Sequence, residues 1–208
     1  MNWKLVNKDP GAQPQKGTYS DWKEQIAKEC FYQCVYCSIH EAQFGGINNF
    51  HIDHYRPKSV FKKLENDICN LFYSCPICNR FKSDDWPNEP DLDLASYPNP
   101  SNIDYSKLFD VDSDYHVNGR YIASKYLELR LYLNRAQLIF ERREEIDVRR
   151  ATNLMKELSF LIDKVSDDDL KEANKAYKAL SSIQNKIQEL GELRKKIRPY
   201  ELEDIRKK

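Results

Sequence analysis

Two cysteine pairs, Cys34-Val35-Tyr36-Cys37 and Cys75-Pro76-Ile77-Cys78, constrain this chain more than any other feature. A two-residue spacer lets one turn point both sulfurs at a single ion. Two such turns supply four sulfurs, the closed tetrahedral shell of a structural zinc rather than the open shell of a catalytic one. All six cysteines lie between residues 30 and 78, a clustering that scattered core thiols do not produce. No charged-then-apolar leader opens the chain, so metal ligation is expected in place of disulfides. The bland alternative is two unrelated knuckles or a redox pair, but a redox motif needs only one such pair at the start of a helix. Cys30 and Cys69 are left over and read as buried thiols.

The 208 residues allow one moderate domain or two small ones. No apolar run approaches the roughly 20 residues of a membrane-spanning helix, so a soluble, cytoplasmic chain with no membrane partner is expected. Lys plus Arg equal Asp plus Glu at 33 each, so net charge announces no polyanionic partner, although a neutral total can hide a local basic cleft. Residues 1–17 carry Pro10, Gly11, Pro14 and Gly17 and read as an extended or loosely ordered arm. A short helix is expected from a Ser20 N-cap through Trp22 and Ile26 to Cys30.

Residues 86–106, with Pro87, Pro90, Pro98 and Pro100, read as a long surface excursion. A hairpin over Tyr115–Ile122 is expected to turn at Asn118-Gly119. These features make up a core of residues 18–123, with the excursion and hairpin as insertions, followed by a helical region of residues 124–208. In that region Leu127, Leu131, Asn134, Leu138 and Arg142 recur at helical spacing. A second stripe, Leu170, Ala173, Tyr177, Leu180, Ile183, Ile187 and Leu190, follows a cap at Ser166 and Asp167-Asp168-Asp169. Own-chain packing is the favoured reading of this stripe, with docking of a partner or a second copy as the alternative. The basic Arg194–Arg198 stretch and Arg206-Lys207-Lys208 are diluted by Glu201, Glu203 and Asp204.

A closed zinc shell performs no chemistry, so chemistry must come from His51-Ile52-Asp53-His54-Tyr55-Arg56-Pro57-Lys58-Ser59 and from Asn70 to Lys82. The order there is strand to His54, loop, strand over Leu71-Phe72-Tyr73, then a helix from Pro76 to about Asp84. Asp53-His54, Pro57, Ser59, Asn70-Leu71 and Cys78-Asn79 with Lys82 resemble the HNH, or ββα-metal, endonucleases over residues 34–84. The interval of nine from Asn70 to Asn79 agrees with that family's spacing. The resemblance implies an α+β fold: a small ββα-metal core stapled by a four-cysteine zinc, then a mostly helical extension.

It also implies roles. His54 would be the general base for water, Asp53 and Asn79 would hold a catalytic Mg²⁺ or Mn²⁺, and Asn70 would brace the loop that orients His54. Oxygen donors suit a hard cation better than imidazole does. Ser83 stands where some bacterial toxins of the family place a further histidine ligand. Residue chemistry agrees, because a near-neutral His and a metal together supply base, charge neutralisation and leaving-group help. Arg56, Lys58, Arg80 and Lys82 bracket the site and can bind flanking phosphates. Taken singly, each signal has a plain reading: a surface Asp-His pair, a turn-capping Asn, solvated basic loops. His51 is either a partner behind the site or a packed strand histidine, while His40 and His116 read as surface or loop residues.

Leu131-Tyr132-Leu133-Asn134-Arg135 with Leu138 and Arg142, together with His54–Ser59, resembles HNH proteins encoded beside an ATPase in Septu-type and some retron antiphage systems. The expected function is therefore a DNA-hydrolysing effector with an ATPase partner and a possible homo-oligomeric state. The rivals are a non-catalytic zinc ribbon that binds nucleic acid or protein, and a nuclease of the same type acting on RNA.

Overall fold

The computed structural model describes residues 3–162 and 170–196. Its core is a four-against-four antiparallel hairpin, β1 (His51–His54) with β2 (Leu71–Ser74), in the register His51↔Ser74 to His54↔Leu71. So small a hairpin is marginal alone and must be covered. Every residue of β2 is buried. Helix α1 (Lys23–Glu29) lies over β2 and buries Ile26 and Ala27, and α2 (Pro76–Lys82) packs against β1. The first cysteine knuckle joins β2 directly, with Val35 N donating to Tyr73 O at 3.0 Å. Helix α2 starts where it does because Pro76 occupies the first turn, where its missing N–H costs nothing, and the Cys75 sulfur accepts from Cys78 N at 3.4 Å. The expected strand–loop–strand–helix order is present, and the chain is mixed α+β with a helical C-terminal part.

Several local readings need correction. Ser20 does not cap α1. Asp21 instead accepts from Thr18 N at 2.8 Å, closing a turn that delays the helix to Lys23, with Trp22 at its cap position and no side-chain bond. The arm at the N-terminus is extended but not loose: Trp3 is buried, donates to Tyr36 O at 3.1 Å and stacks on Phe109 at 5.1 Å. The proline-rich excursion forms no strand or α-helix, yet it is not all surface. Tyr97 and Tyr105 are buried, held by Tyr55 donating to Tyr97 O at 2.5 Å and Tyr105 donating to Pro98 O at 2.7 Å.

The second sheet pairs β3 (Phe109–Val111) with β4 (Val117–Gly119), and Asn118-Gly119 lies in the strand, not the turn. Asp112 makes the turn by accepting from Asp114 N and His116 N at 3.0 and 2.9 Å. Gly119 serves close packing: an added Cβ would lie 2.4 Å from Lys125 N in the following helix, α3 (Ile122–Arg130). Backbone cannot yield as a flexible side chain does. Gly119→Ala is expected to cost about 1–3 kcal/mol, seen as a lower melting temperature with zinc content unchanged.

Leu127 to Arg142 do not form one helix. Helix α3 ends at Arg130, the chain turns with Tyr132 at φ 48°, and α4 (Ala136–Ile162) begins on a new axis. Leu127, Leu131, Leu138 and Arg142 are nonetheless all buried, because the corner folds over the zinc region. One continuous apolar cluster runs from Trp3 to Leu138. Helix α5 (Leu170–Lys196) pairs with α4, but Leu180, Ile183 and Ile187 stay exposed, against the own-chain packing expected of that stripe. The inner seam is polar instead, with Gln184 and Gln188 both donating to Thr152 Oγ1. The Ser166–Asp169 cap and residues 197–208 lie outside the described residues. No described helix is long and apolar enough to cross a membrane.

Candidate functional site

Cys34, Cys37, Cys75 and Cys78 converge, all buried, with their sulfurs within 4.8 Å of one another. Cys37 and Cys75 sulfurs stand 3.7 Å apart. A tetrahedron with metal–sulfur arms of about 2.3 Å has edges of about 3.8 Å, so the four thiols fit a zinc ion without rearrangement. The shell is closed and offers no position to substrate, which makes it a structural zinc site. Arg135, from the corner between α3 and α4, lies against this shell. Its guanidinium contacts the sulfurs of Cys37, Cys75 and Cys78 at 3.6–3.8 Å. Four thiolates around Zn²⁺ carry a net double negative charge, and the arginine offsets part of it while tying the helical extension to the knuckles.

The neighbours of Arg135 are architectural too. Asn134 exchanges hydrogen bonds with Val117 N and O at 2.7 and 2.8 Å, and buried Arg142 donates to Leu133 O at 2.9 Å. Cys30 is apart from the shell. Its sulfur accepts from Tyr73 N, and burial pushes its thiol up to about 11. Cys69 is half-buried rather than buried as expected, because it lies in a loop turn.

At the end of β1, the Asp53 carboxylate is buried and doubly engaged. Oδ2 accepts from Tyr36 OH at 2.5 Å and Oδ1 from Lys82 Nζ at 3.1 Å. Lys82 also donates to the main-chain oxygen of His54 at 2.7 Å. Lys82 is 0 % exposed, so it is no surface phosphate contact; it clamps the strand end from beneath. A buried ion pair is costly to break from one side. Lys82→Met is expected to cost about 3–5 kcal/mol by stranding the Asp53 charge, and adding Asp53→Asn is expected to return part of that. Calorimetric melting of the single and double variants checks this. A single variant that melts like the unmodified protein would sink the pairing.

His54 is half-buried. Its Nε2 lies 2.9 Å from the main-chain oxygen of Glu65. A carbonyl can only accept, so Nε2 carries the proton and Nδ1 keeps its lone pair. Burial, partly offset by the Glu65 carbonyl, lowers the imidazole's pKa below its usual value and favours the neutral base. Tyr19 packs edge-on against the ring at 4.7 Å, anchored by its own N–H to Asn66 Oδ1 at 2.8 Å. Asn70, buried behind the loop, accepts from Arg56 N at 2.8 Å and donates to the oxygens of Arg56 and Leu64 at 3.1 and 3.2 Å. It therefore fixes both ends of the segment that delivers Glu65.

Asn79 is half-buried on α2, one turn before Lys82 and so on the same helix side, and its Oδ1 accepts from Ser74 Oγ at 3.4 Å. Arg56 makes a two-pronged pair with Glu89 at 3.0 and 2.5 Å, and Lys58 pairs with Glu65 at 3.1 Å and donates to Tyr19 OH at 2.9 Å. Arg80 is exposed. His51 is exposed, His40 caps a 3-10 turn by accepting from Ala42 N at 3.2 Å, and His116 pairs with Asp112 at 3.7 Å. Reading the sequence did not point to Tyr19, Glu65 or Tyr36, nor to Arg135 as a neighbour of the zinc shell.

No curated protein and no solved structure matches the chain. The stretch from the first knuckle through α2 does match a known family: the HNH endonuclease model covers residues 34–85, so this quarter of the chain is similar to HNH endonucleases.

Proposed function

We propose that the site at the end of β1 hydrolyses DNA phosphodiester bonds with His54 as general base. The observation that carries this reading is the His54–Glu65 contact, which assigns the proton to Nε2 and leaves Nδ1 able to accept one. In the reaction, Nδ1 takes a proton from water as the water oxygen attacks phosphorus. The bond from phosphorus to the leaving oxygen then breaks, that oxygen takes a proton from solvent water, and His54 returns its extra proton to solvent. Asn70 acts at a distance by holding the loop that presents the Glu65 carbonyl. Among the four basic residues, Lys58 and Arg80 are exposed, but Lys58, like the half-buried Arg56, reaches a phosphate only by leaving its carboxylate partner.

Asp53 and Asn79 are the oxygen donors that would hold Mg²⁺ or Mn²⁺. The Asp53 carboxylate has about four lone-pair positions, two of them taken by Tyr36 and Lys82. The ion, when bound, supplies charge neutralisation at the phosphate. The finer reading is an antiphage effector that works with an ATPase partner. It rests on the resemblance of residues 54–59 and 131–142, and co-expression with neighbouring gene products tests it. The test of the activity itself is plasmid and RNA cleavage by the purified protein with Mg²⁺, Mn²⁺ or EDTA. Metal-dependent cleavage of DNA in preference to RNA is expected. Cleavage unaffected by EDTA, or of RNA alone, would overturn the reading.

A further inference from the structure

The hairpin of α4 and α5 has its polarity reversed. Its closed seam is polar: Thr152, Met155 and Ser159 face Tyr177, Ser181 and Gln184 around a groove of about 380 Å³. Its apolar side chains lie one position earlier on each helix and point to solvent. Leu154 is 64 % exposed, Leu180 49 %, Ile183 57 % and Ile187 45 %, with Leu158 and Phe140 also exposed. In antiparallel right-handed helices, positions displaced the same way from the facing seam emerge on the same side of the pair. The Gln184 and Gln188 bonds to Thr152 set the levels, so Leu154 stands beside Ile183 and Leu158 beside Leu180. The two stripes form one apolar face.

The spacing on that face is alternating three and four: Ala151, Leu154, Leu158 on α4, and Leu180, Ile183, Ile187 on α5. The sequence continues the α5 pattern to Ala173 and Ala176 before it and Leu190 after it. Such a repeat keeps an apolar seam directed at another helix along its whole length. We propose that this face is covered by the same face of a second copy of the chain, two hairpins closing a four-helix bundle about a two-fold axis.

Size and charge both favour that occupant. Each helix has 27 residues. The part of α4 that lies opposite α5 starts near Arg142, so at 1.5 Å per residue and about 10 Å per helix width the paired side measures about 30 by 20 Å. That is about 600 Å², one partner's share of an interface at the small end of the stable range. The exposed charges around the face are of both signs, among them Arg143, Asp147, Arg150, Glu157 and Lys186. A self-complementary surface must carry both signs, whereas a nucleic acid requires an excess of positive charge. Residues 197–208 of the same chain, with seven charged side chains among twelve, are poorly suited to an apolar seam.

Sedimentation equilibrium of the full-length, zinc-loaded protein is the test. Its readout is mass, so it stands or falls independently of nuclease activity. A mass of twice the 24.7 kDa chain is expected at micromolar concentrations. The triple variant Leu180→Glu, Ile183→Glu, Ile187→Glu is expected to weaken the dimer more than about a hundredfold, with helicity and zinc content unchanged because these side chains are exposed. Leu129→Glu, at a 73 % exposed position on α3, is expected to leave the dimer intact. A single-chain mass for the unmodified protein at the highest concentration overturns the proposal. So does a dimer that the triple variant leaves unchanged, which would place the contact elsewhere. If the triple variant loses helicity, Ile183→Arg alone gives the same reading.

Discussion

A strong chelator, or the single substitution Cys34→Ser, is expected to unfold residues 34–85 and lower the melting temperature by far more than any other single change. A structural zinc contributes about 10–16 kcal/mol where its site exists only in the folded chain, against about 5–15 kcal/mol for the net stability of a whole domain. The reasons are local. The hairpin has four residues per strand, and its β2 edge is completed by Val35 from the first knuckle. The shell closes between turns whose cysteines are 38 residues apart, Cys37 to Cys75. Without an ion, burial pushes the Cys34 thiol well up, so an empty shell no longer holds four thiolates. Elemental analysis is expected to return one zinc per chain, with chelation removing much of the β and aromatic circular dichroism. A zinc-free protein that melts unchanged would refute this.

His54→Ala is expected to lower DNA cleavage by about 10²–10⁴-fold while leaving the fold in place. The side chain is half-buried and makes one hydrogen bond, so its removal is expected to cost only about 1 kcal/mol of stability. The pH profile carries the sign. Burial lowers the folded pKa below the usual 6.5, so the rate should rise with pH and level off below that value. Linkage runs in the same direction. The unfolded chain binds the His54 proton more readily, so this group contributes nothing above the unfolded value. Its effect is to destabilise the fold as pH falls through 6.5 toward the lowered folded pKa. Cleavage at the original rate by a zinc-loaded, folded His54→Ala protein would remove His54 from the chemistry.

The zinc shell and the order of the ββα elements were legible because each has a short-range signature. The knuckles carry their ligands three residues apart, and Pro57 and Pro76 punctuate the strand end and the helix start. Around His54 the signature fails. Its hydrogen-bond partner is a main-chain oxygen, which every residue possesses, and Tyr19 arrives from 35 positions earlier through a loop. Local rules were also overridden by packing. Asn118-Gly119 has the composition of a tight turn, but α3 needs the glycine for close approach, and Asp112 offers an alternative turn four residues ahead of His116. The spacing of Leu127, Leu131 and Leu138 is compatible with a continuous helix, and only the left-handed backbone at Tyr132 breaks it. For Lys82, the spacing that marks α2 does not reveal which side faces the core, so a buried clamp looked like a surface cation.

The single apolar cluster from Trp3 to Leu138 bears on how such a chain can be recombined. Residues 123 and 124 look like a junction in the sequence, yet both are buried, and Leu127, Leu131 and Leu133 complete the packing while Arg135 touches the zinc ligands. A cut there would leave a core with an open side. The smallest piece that retains its own packing extends to Arg142, and chimaeras that exchange the long hairpin for another appendage have their viable crossover beyond that residue.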